Sequence, residues 1–369
     1  DQEALSRGTS VYFPERAFHM LPRALSENLC SLVPHQPRLV LVSKIEFDSH
    51  GKRVGIEVME AVMHSKRRAT YNEIQKEWDE NKTNAAWEFT PHFELYQTLR
   101  KHRTKRGSID FDLPEAEIRV DAAGFPLSIR ERPRLDAHRL IEEFMIAANE
   151  AVTSWMMDRK WPFIYRVHDE PSEMALERFQ KMAVNLGVPF SYETGSLHLV
   201  LPELIERLAG HPAQDMLNMA LLRSMKQAMY SAEFGRHFGL ASPGYSHFTS
   251  PIRRYPDLIV HRLIRHALRV QANLEPALTP QTTQELQEKL EDVAEHCSYR
   301  ERIASDCERE SIRLKQIRIM LKHLGDEFDG KVNGMNDNGL FVKINDPFVE
   351  GFIPKDSMND DSYEFNAER

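Results

Sequence analysis

The sequence is poor in the features that mark disulfide scaffolds, zinc modules and membrane spans. Only three cysteines, Cys30, Cys297 and Cys307, occur in 369 residues, and no two of them have CxxC spacing. An odd set without that spacing fits a reduced, cytoplasmic compartment better than a disulfide framework. No apolar run is long enough to cross a bilayer. Repeats and low-complexity segments are also missing, so we expect a globular chain with no membrane partner.

The charge balance is acidic, with 48 Lys and Arg against 56 Asp and Glu and a formal net charge of −8. This balance excludes indiscriminate coating of nucleic acid, but it leaves room for a local basic channel because clefts focus the electric field. Hydrophobic residues make up 41% of the chain, which is enough to bury a sizeable core and to hold more than one domain. Nothing indicates oligomerisation, so a monomer is the default expectation.

The order of predicted elements is strands, then helices, then strands again. This order predicts an α+β fold in which a mixed sheet is packed with several long helices. Apolar runs at 39–45 and 54–63 flank a turn at 48–51 and predict a hairpin, and a second hairpin is predicted at 118–129. From Asp136, the predicted N-cap, the apolar period becomes helical. Later helices are predicted at 171–186, 202–209, 213–230, 251–271 and 279–324.

The most informative segment is YSHFTSPIRRYPDLIVHR at 245–262. Ser250 is a favourable N-cap residue, and Pro251 suits the first helical position, where its missing N–H costs nothing. Arg253 and Arg254 then fall in the first turn, where cations oppose the helix dipole and need an anionic partner. Phosphate suits this place because free N–H groups at a helix start also attract anions. The alternative is a plain surface helix whose arginines pair with nearby carboxylates.

A boundary is predicted near residues 323–326. Three short strands follow it, at 327–333, 339–344 and 349–354. Their turn-rich pattern resembles the start of the OB-fold RNA-binding domain of a ribosomal small-subunit protein. An OB-fold closes its barrel with five strands, so we expect only part of that barrel here. Phe341 and Phe352 are candidates for stacking on the bases of a single strand. Barrel core is the alternative for both, and it is favoured for Phe352.

Several ordered blocks resemble the ribonuclease II/ribonuclease R family of processive 3′→5′ exoribonucleases. The segment at 245–262 is one of them. The others are RGTSVYFP at 7–14, LIEEFMIAAN at 140–149, LRSMKQAMY at 222–230 and HFGL at 237–240. The blocks cover most of residues 1–320, and their joint order is more specific than any single match. The block RGTSVYFP is closer to the ribonuclease R branch than to the ribonuclease II branch.

The resemblance implies an RNB-type catalytic domain over residues 1–324, incomplete at its N-terminal end, followed by the start of an OB-fold domain over 325–369. Family members bind the catalytic magnesium ions through closely spaced aspartates just upstream of this region, for two-metal hydrolysis of RNA. Asp110 and Asp112 do not match that pattern. We therefore expect no metal ligand within the chain, and we expect the Mg²⁺ carboxylates to precede Asp1 in a longer protein.

Matched residue by residue, the resemblance implies three aromatic contacts to RNA. Tyr12 matches the tyrosine that positions the 3′ end at the cleavage site. Phe111 matches the aromatic residue that stacks on the terminal nucleotides, and Tyr71 matches a tyrosine that helps to reject DNA. Stacking tolerates any sequence because every base has a π-face. Without the resemblance, a single aromatic residue in a strand is ordinarily a core or cross-strand residue.

Charged groups complete the implied site. Glu142 matches a glutamate that bonds the sugar near the 3′ end, where a carboxylate that accepts from the 2′-OH distinguishes RNA. Arg253 matches the arginine that grips the scissile phosphate, and Arg254 is a second substrate-binding candidate. The choices of Glu142 over Glu143 and of Arg253 over Arg254 stay open. The glutamates have a plainer alternative as surface carboxylates that pair with Arg139.

The chain is therefore predicted to be the larger part of the catalytic domain of a processive 3′→5′ exoribonuclease. The intact enzyme would use magnesium to hydrolyse single-stranded RNA to 5′-nucleoside monophosphates. The alternative is a non-catalytic RNA-binding relative that has lost the metal ligands. The chain alone is expected to bind RNA weakly and not to hydrolyse it. These expectations require Tyr12, Phe111, Glu142 and Arg253 to surround one cavity.

Overall fold

The computed structural model describes residues 1–111, 113–193, 195–358, 361, 363 and 364, so Asp112 lies outside the described residues. Within them, no helix combines the length and the apolar character that crossing a membrane would require. The helices are α1 Gln2–Arg7, α2 Tyr71–Asn81, α3 Thr90–Arg106, α4 Asp136–Asp158, α5 Glu173–Asn185, α6 Leu197–Leu208, α7 Gln214–Ser224, α8 Tyr255–Gln271 and α9 Pro280–Met320.

The strands alternate with these helices along the chain. They are β1 Val11–Tyr12, β2 Ala17–Phe18, β3 Pro37–Phe47, β4 Arg53–His64, β5 Glu115–Val120, β6 Pro126–Arg132, β7 Tyr165–Val167, β8 Met229–Ser231, β9 Gly330–Asn336, β10 Gly339–Asn345 and β11 Phe348–Pro354. The α+β class is thus confirmed. In the described part of the chain, however, the strands form separate antiparallel ladders, β1–β2, β3–β4, β5–β6, β7–β8 and β11–β10–β9, and not one mixed sheet. Most of these ladders are hairpins that close through a short local turn.

Both predicted hairpins are confirmed. In the first, Ile45 pairs with Ile56, and the strands extend past the predicted ends on both sides. In the second, Ile118 pairs with Ile129 across the predicted turn. Alternation of apolar and polar residues indicated these strands because each hairpin lays one face on the helices.

Helix ends were predicted less well than helix positions. Helix α6 begins at Leu197, so Pro202 lies inside it and not at its start. The predicted helix at 213–230 is wrong in its last third. Helix α7 ends at Ser224, and Met229–Ser231 forms β8, which pairs with β7. Long-range strand pairing therefore overrode the local helical pattern there.

Two large apolar clusters hold the helices together. The first joins α4, α8 and α9 to the β7–β8 ladder through fully buried residues such as Val152, Ile164, Val260 and Ile264. The second lies among α5, α6 and α7, and its centre consists of Leu201, Leu204, Leu217 and Leu221. Burial of one such side chain contributes about 1.5–3 kcal/mol. The first cluster underlies the segments that carry the candidate site.

Helix α9 connects the two ends of the molecule. It has 41 residues and is therefore about 60 Å long at 1.5 Å per residue. Thr279 caps its start by accepting the N–H of Thr282 at 3.2 Å. At its other end, Ile319 packs with Ile129, Phe348 and Val349, among others. The C-terminal three-stranded sheet is thus packed against β6 and the end of α9.

Candidate active site

The arginine segment departs from the predicted helix start. Helix α8 begins at Tyr255 and not at Pro251, and Arg254 is its N-cap, with an extended backbone at φ −132° and ψ 126°. Before it, the carbonyl of Ser250 accepts the N–H groups of Arg253 and Arg254, both at 3.1 Å, so the chain makes a turn. The prediction that Ser250 caps the helix and that both arginines lie in its first turn is therefore wrong.

The physical cause is a strand-like contact with the N-terminal segment. Thr9 forms an isolated antiparallel bridge with Arg254. Beside it, Ser10 donates its N–H to the carbonyl of Arg253 at 2.9 Å, and the Thr9 hydroxyl donates to the same carbonyl at 3.1 Å. This pairing holds Arg254 extended, so the helix cannot begin earlier. The arginine turn thus contacts Ser10, which precedes Tyr12 by two residues.

Arg254 makes a buried ion pair with Asp257. Its Nε donates to Oδ2 at 2.8 Å and its Nη2 to Oδ1 at 2.7 Å, and the Asp257 side chain has 0% exposure. The N–H of Ser250 donates to the same Oδ1 at 2.8 Å. Burial alone would lower the pKa of the Arg254 guanidinium, but the charge and hydrogen bonds of Asp257 raise it. The guanidinium of Arg254 is thus occupied by a protein carboxylate.

Arg253 has the opposite surroundings. Its side chain is exposed, and among the described residues no carboxylate lies within ion-pair distance of it. An exposed guanidinium keeps its donors free for a planar anion such as phosphate. Of the two neighbouring arginines, Arg253 is therefore the one that is available to a ligand, and its role stays a prediction.

Tyr12 lies at the end of β1 with its side chain 45% exposed. Its backbone N–H donates to Oε1 of Glu308 at 2.7 Å. Helix α9 therefore helps to fix the position of β1. Sequence reasoning missed Glu308, because one acid in a long charged helix carries no local signal of a contact 296 residues away. The ring of Tyr12 is therefore accessible to a ligand.

Phe111 and Glu142 are joined by Arg134. Its Nη1 donates to the carbonyl of Phe111 at 3.1 Å, and its Nη2 donates to Asp110 at 2.7 Å and to Glu142 at 3.3 Å. Burial acts to lower the pKa of Arg134, but the negative charges of Asp110 and then Glu142 raise it. The ring of Phe111 packs against the cluster of α5, α6 and α7. Arg134 therefore holds the backbone of Phe111 beside the Glu142 carboxylate.

The two adjacent glutamates differ in the same way as the two arginines. Glu143 is 3% exposed and accepts from Arg103 through Nε at 3.0 and 3.1 Å and through Nη2 at 2.7 Å. Glu142 keeps 38% of its side chain exposed, and its nearest cation on α3, Arg103, is 3.8 Å away. The pairing with Arg139 that the surface alternative required is not the main contact of either glutamate. Glu142 is the carboxylate that a ligand can reach.

Tyr71 contacts the first turn of α4 through His138. It is the first residue of α2, and it is 43% exposed. Its ring lies 4.2 Å from the ring of His138. His138 precedes Glu142 by one turn of α4, so both lie on the same face of that helix. Burial, and then the charge of Arg132, lower the pKa of His138, which keeps this imidazole neutral at pH 7.

Asn149 connects the two groups of residues. Its Nδ2 donates to the Tyr245 hydroxyl at 2.8 Å, and its Oδ1 accepts the N–H of Phe248 at 2.9 Å. Asn149 follows Glu142 by seven residues, which is two turns of α4, or about 10 Å. The structure therefore brings Tyr71, Phe111 and Glu142 together at one end of a helical face. The segment that carries the arginine turn is bound to the same face two turns further on.

Phe341 is not part of this arrangement. It lies on β10 opposite Phe352, and the two rings are 5.0 Å apart. Its sheet is held by α9 and by Asp215 of α7, which lies 3.6 Å from Lys331 and 3.9 Å from Lys343. Phe352 was favoured as barrel core, but 43% of it is exposed. Within the described residues, the contacts of Phe341 do not reach the arginine turn.

The histidines near the arginine turn hold the loop before it. The Nδ1 of His247 shares a hydrogen bond of 2.9 Å with the Tyr230 hydroxyl, and His261 Nε2 shares one of 2.8 Å with the carbonyl of Phe248. Burial lowers the pKa of His237 to about 3, with smaller effects of neighbouring charge. In the part of the chain that the structure describes, no three His, Cys, Asp or Glu side chains form a group that could hold a metal ion.

These observations coincide with a known family. A family model described as "RNB domain" matches residues 1–270, and the chain belongs to the RNB domain family. It is 39% identical to ribonuclease R of Aquifex aeolicus (strain VF5), over 99% of this chain and 52% of that protein. It is 37% identical to ribonuclease R of Escherichia coli (strain K12), over 99% of this chain and 46% of that protein. The chain thus spans about half the length of these relatives.

Solved structures agree. RNase R of Mycoplasma genitalium, in complex with ribose methylated single-stranded RNA, matches 100% of this chain and 58% of its own with a TM-score of 0.91 and 30% identity. The yeast pseudonuclease Ssd1 matches 99% of this chain and 45% of its own with a TM-score of 0.75 at 17% identity. The second likeness shows the fold alone. The predicted family and its RNB-type fold are confirmed.

Proposed function

We propose that the chain is the larger part of the catalytic domain of a processive 3′→5′ exoribonuclease of the ribonuclease R type. Its substrate is single-stranded RNA, and its products are 5′-nucleoside monophosphates. Residues 1–324 belong to the RNB-type domain, and 325–369 begin an OB-fold domain. The observation that carries the proposal is the exposed Arg253. Its carbonyl accepts hydrogen bonds from Thr9 and Ser10, the second of which lies two residues before Tyr12, while Arg254 is bound to Asp257.

The aromatic residues grip the RNA by its bases. Tyr12 positions the 3′ end, and Phe111 stacks on the terminal nucleotides, at about 1–3 kcal/mol per base. The exposure of Tyr12 and the fixed backbone of Phe111 support these roles. Tyr71 helps the channel to reject DNA. Because stacking reads no base edges, the grip suits an enzyme that moves along any sequence.

The charged residues act on the sugar and the phosphate. The carboxylate of Glu142 accepts a hydrogen bond from a 2′-OH, which DNA lacks. Its exposure, next to a fully paired Glu143, supports this choice. Arg253 donates to the phosphate at the scissile bond and neutralises the charge that develops on it. Arg254 contributes to substrate binding through the turn that it holds with Asp257.

The C-terminal sheet adds a second contact to RNA. Phe341 stacks on a base outside the catalytic region, as single-strand binders of the OB type do. The RNase R of Mycoplasma genitalium has been solved with single-stranded and with double-stranded RNA, which supports RNA as the partner. The protein acts in the cytoplasm as a monomer.

Magnesium is the proposed cofactor. The described residues do not fit a magnesium site, because no three of their carboxylates and imidazoles converge. None of the roles given above passes through the metal, and the chain by itself is expected not to hydrolyse RNA.

A single assay tests the proposal against a non-catalytic RNA-binding relative. The longer protein that contains this chain is mixed with uniformly labelled single-stranded RNA and magnesium, and the products are resolved over time. Steady release of mononucleotides is expected, while retention of intact RNA would establish the binder instead. Arg253→Ala is expected to lower turnover much more than RNA affinity. The matched control is Arg265→Ala, because Arg265 is an exposed arginine on α8 that pairs with Glu60. Equal losses of turnover and affinity for Arg253→Ala would mean that this arginine only helps to bind the RNA strand and does not act in the hydrolysis.

A further inference from the structure

A cavity of about 360 Å³ lies outside the candidate site. It opens between α3, a neighbouring face of α4 and the turn that joins β3 to β4, and residues 242–244 close one side. Among the described residues that line it, none is Tyr12, Phe111, Glu142 or Arg253. Cavities of about 300–1,000 Å³ are typical of small-molecule sites, so this one is large enough for a ligand of nucleotide size.

The rim of the cavity carries surplus positive charge. Arg106 binds Glu150 through Nη2 at 2.5 Å and Nη1 at 3.2 Å, while its Nε is buried with no partner in the described chain. Arg53 reaches the backbone carbonyl of Glu150 at 3.3 Å. Lys52 is exposed, and among the described residues its ammonium has no carboxylate within ion-pair distance. Of these three cations, only Arg106 is paired with a carboxylate that lines the cavity, so an anion in the cavity would give the other two a partner.

The buried part of the cavity lining has no net charge, and one of its walls is apolar. The buried Arg103 and Glu143 neutralise one another. The apolar wall consists of Phe47, Leu99, Ile146, Met157 and Phe234. Phe234 is 55% exposed, so its ring is accessible. A Cβ at Gly244 would lie 3.1 Å from this ring and from the Met157 sulfur, so the absence of a side chain there lets the backbone approach the wall.

The hairpin tip that borders the cavity is ordered by its own hydrogen bonds and by packing, without a ligand. At the tip of the β3–β4 hairpin, Asp48 Oδ1 accepts the N–H groups of His50 and Lys52, both at 2.9 Å. Gly51 has a φ of +79°, and a Cβ there would lie 3.1 Å from the carbonyl oxygen of Thr98 on α3. The tip of the hairpin therefore packs closely against α3. This packing fixes the position of Lys52 and Arg53 relative to the apolar wall.

We infer that this cavity binds a nucleoside monophosphate. The phosphate lies among the side chains of Lys52, Arg53 and Arg106, and the base lies against Phe234. A phosphate monoester with a flat aromatic body is the chemical class that satisfies both halves of the cavity. The inference does not depend on the proposed nuclease activity. Where that activity holds, the bound molecule has the chemistry of the product.

Calorimetric titration of the 369-residue chain with 5′-AMP, adenosine and inorganic phosphate tests the inference. AMP is expected to bind more tightly than adenosine or inorganic phosphate, because only AMP contacts both the cationic rim and the apolar wall. Lys52→Ala and Arg53→Ala are each expected to weaken AMP binding about tenfold, the equivalent of one charge-assisted hydrogen bond. The matched control is Lys44→Ala, because Lys44 is an exposed lysine on the same hairpin that does not line the cavity. Circular dichroism verifies that each variant is folded.

Two further variants separate this cavity from the candidate active site. Phe234→Leu is expected to weaken AMP binding but to leave any weak binding of inorganic phosphate unchanged. Arg253→Ala is expected to leave AMP binding unchanged. Loss of AMP binding in Arg253→Ala, but not in Lys52→Ala, would overturn the inference. It would equally be overturned if AMP did not bind, or if Lys52→Ala weakened only the binding of an oligoribonucleotide.

Discussion

Replacing Arg254 is expected to destabilise the chain far more than replacing its neighbour Arg253. Asp257 is fully buried and accepts two hydrogen bonds from Arg254 and one from the N–H of Ser250. Arg254→Ala leaves that carboxylate with the single N–H, and breaking a buried ion pair costs about 3–5 kcal/mol. Arg253 is exposed, and substitutions at such positions change stability by about 0.5 kcal/mol or less.

Urea denaturation of the chain, followed by circular dichroism, measures this difference. With a denaturant slope of about 1–3 kcal/mol per M, Arg254→Ala should lower the midpoint by about 1 M or more, and Arg253→Ala should hardly move it. The double variant Arg254→Ala/Asp257→Ala is expected to be more stable than Arg254→Ala alone, because it leaves no unpaired buried charge. Equal midpoints for the two single variants would refute the division between a bound and an available arginine.

Three other outcomes are expected. Glu143→Gln should destabilise the chain by about 3–5 kcal/mol because it breaks the buried pair with Arg103, whereas Glu142→Gln should change the unfolding free energy by less than about 1 kcal/mol; similar urea midpoints would contradict this. Burial lowers the pKa of His237 to about 3 and that of His247 well below 6.5. Only the unfolded chain then takes up these protons as the pH falls below 6.5, so stability should drop between pH 6.5 and 5 with a slope that approaches about 1.4 kcal/mol per pH unit per histidine. Replacement of both by glutamine should flatten that slope, and an unchanged slope would exclude them as its cause. Phe341→Ala in the longer protein should weaken binding of single-stranded RNA by about 1–3 kcal/mol, and unchanged affinity in a filter-binding assay would remove Phe341 from the interface.

Much of the fold could be predicted because local patterns and local structure agree. The β3–β4 and β5–β6 hairpins are each defined by an alternating run, a turn and a second run, and they were confirmed. The start of α5 behaves likewise, since Ser172 caps it by accepting the N–H of Ala175 at 3.3 Å. In such elements the stabilising contacts lie within a few residues of one another, so a short window of sequence contains them.

The failures occur where distant residues determine the backbone. Pro251 and Ser250 suit a helix start, yet bridging to Thr9 holds Arg254 extended, and the helix begins with Tyr255. Likewise β8 replaces predicted helix because it pairs with β7. Neither partner can be identified from the segment itself.

The candidate site was predicted by residue type and family resemblance, not by geometry. Resemblance pointed to Glu142 and Arg253, but only burial and hydrogen bonds distinguish each from the identical residue beside it. The supporting residues Arg134 and Glu308 were missed. Each of them bonds a backbone group that is not its neighbour in the sequence, at Phe111 and Tyr12, and such contacts leave no periodic or spacing signal.

The bridge between Thr9 and the arginine turn also has a consequence for biogenesis. It closes a loop across 244 residues, at roughly 5 kcal/mol of chain entropy, so it is expected to form only after the helices between its ends have shortened the distance. A nascent chain that still lacks residues 253–255 can pair Tyr12 with Ala17, but it has no partner for the bridge at Thr9. The arginine turn is therefore expected to be among the last parts of the polypeptide to take up its final structure during synthesis on the ribosome.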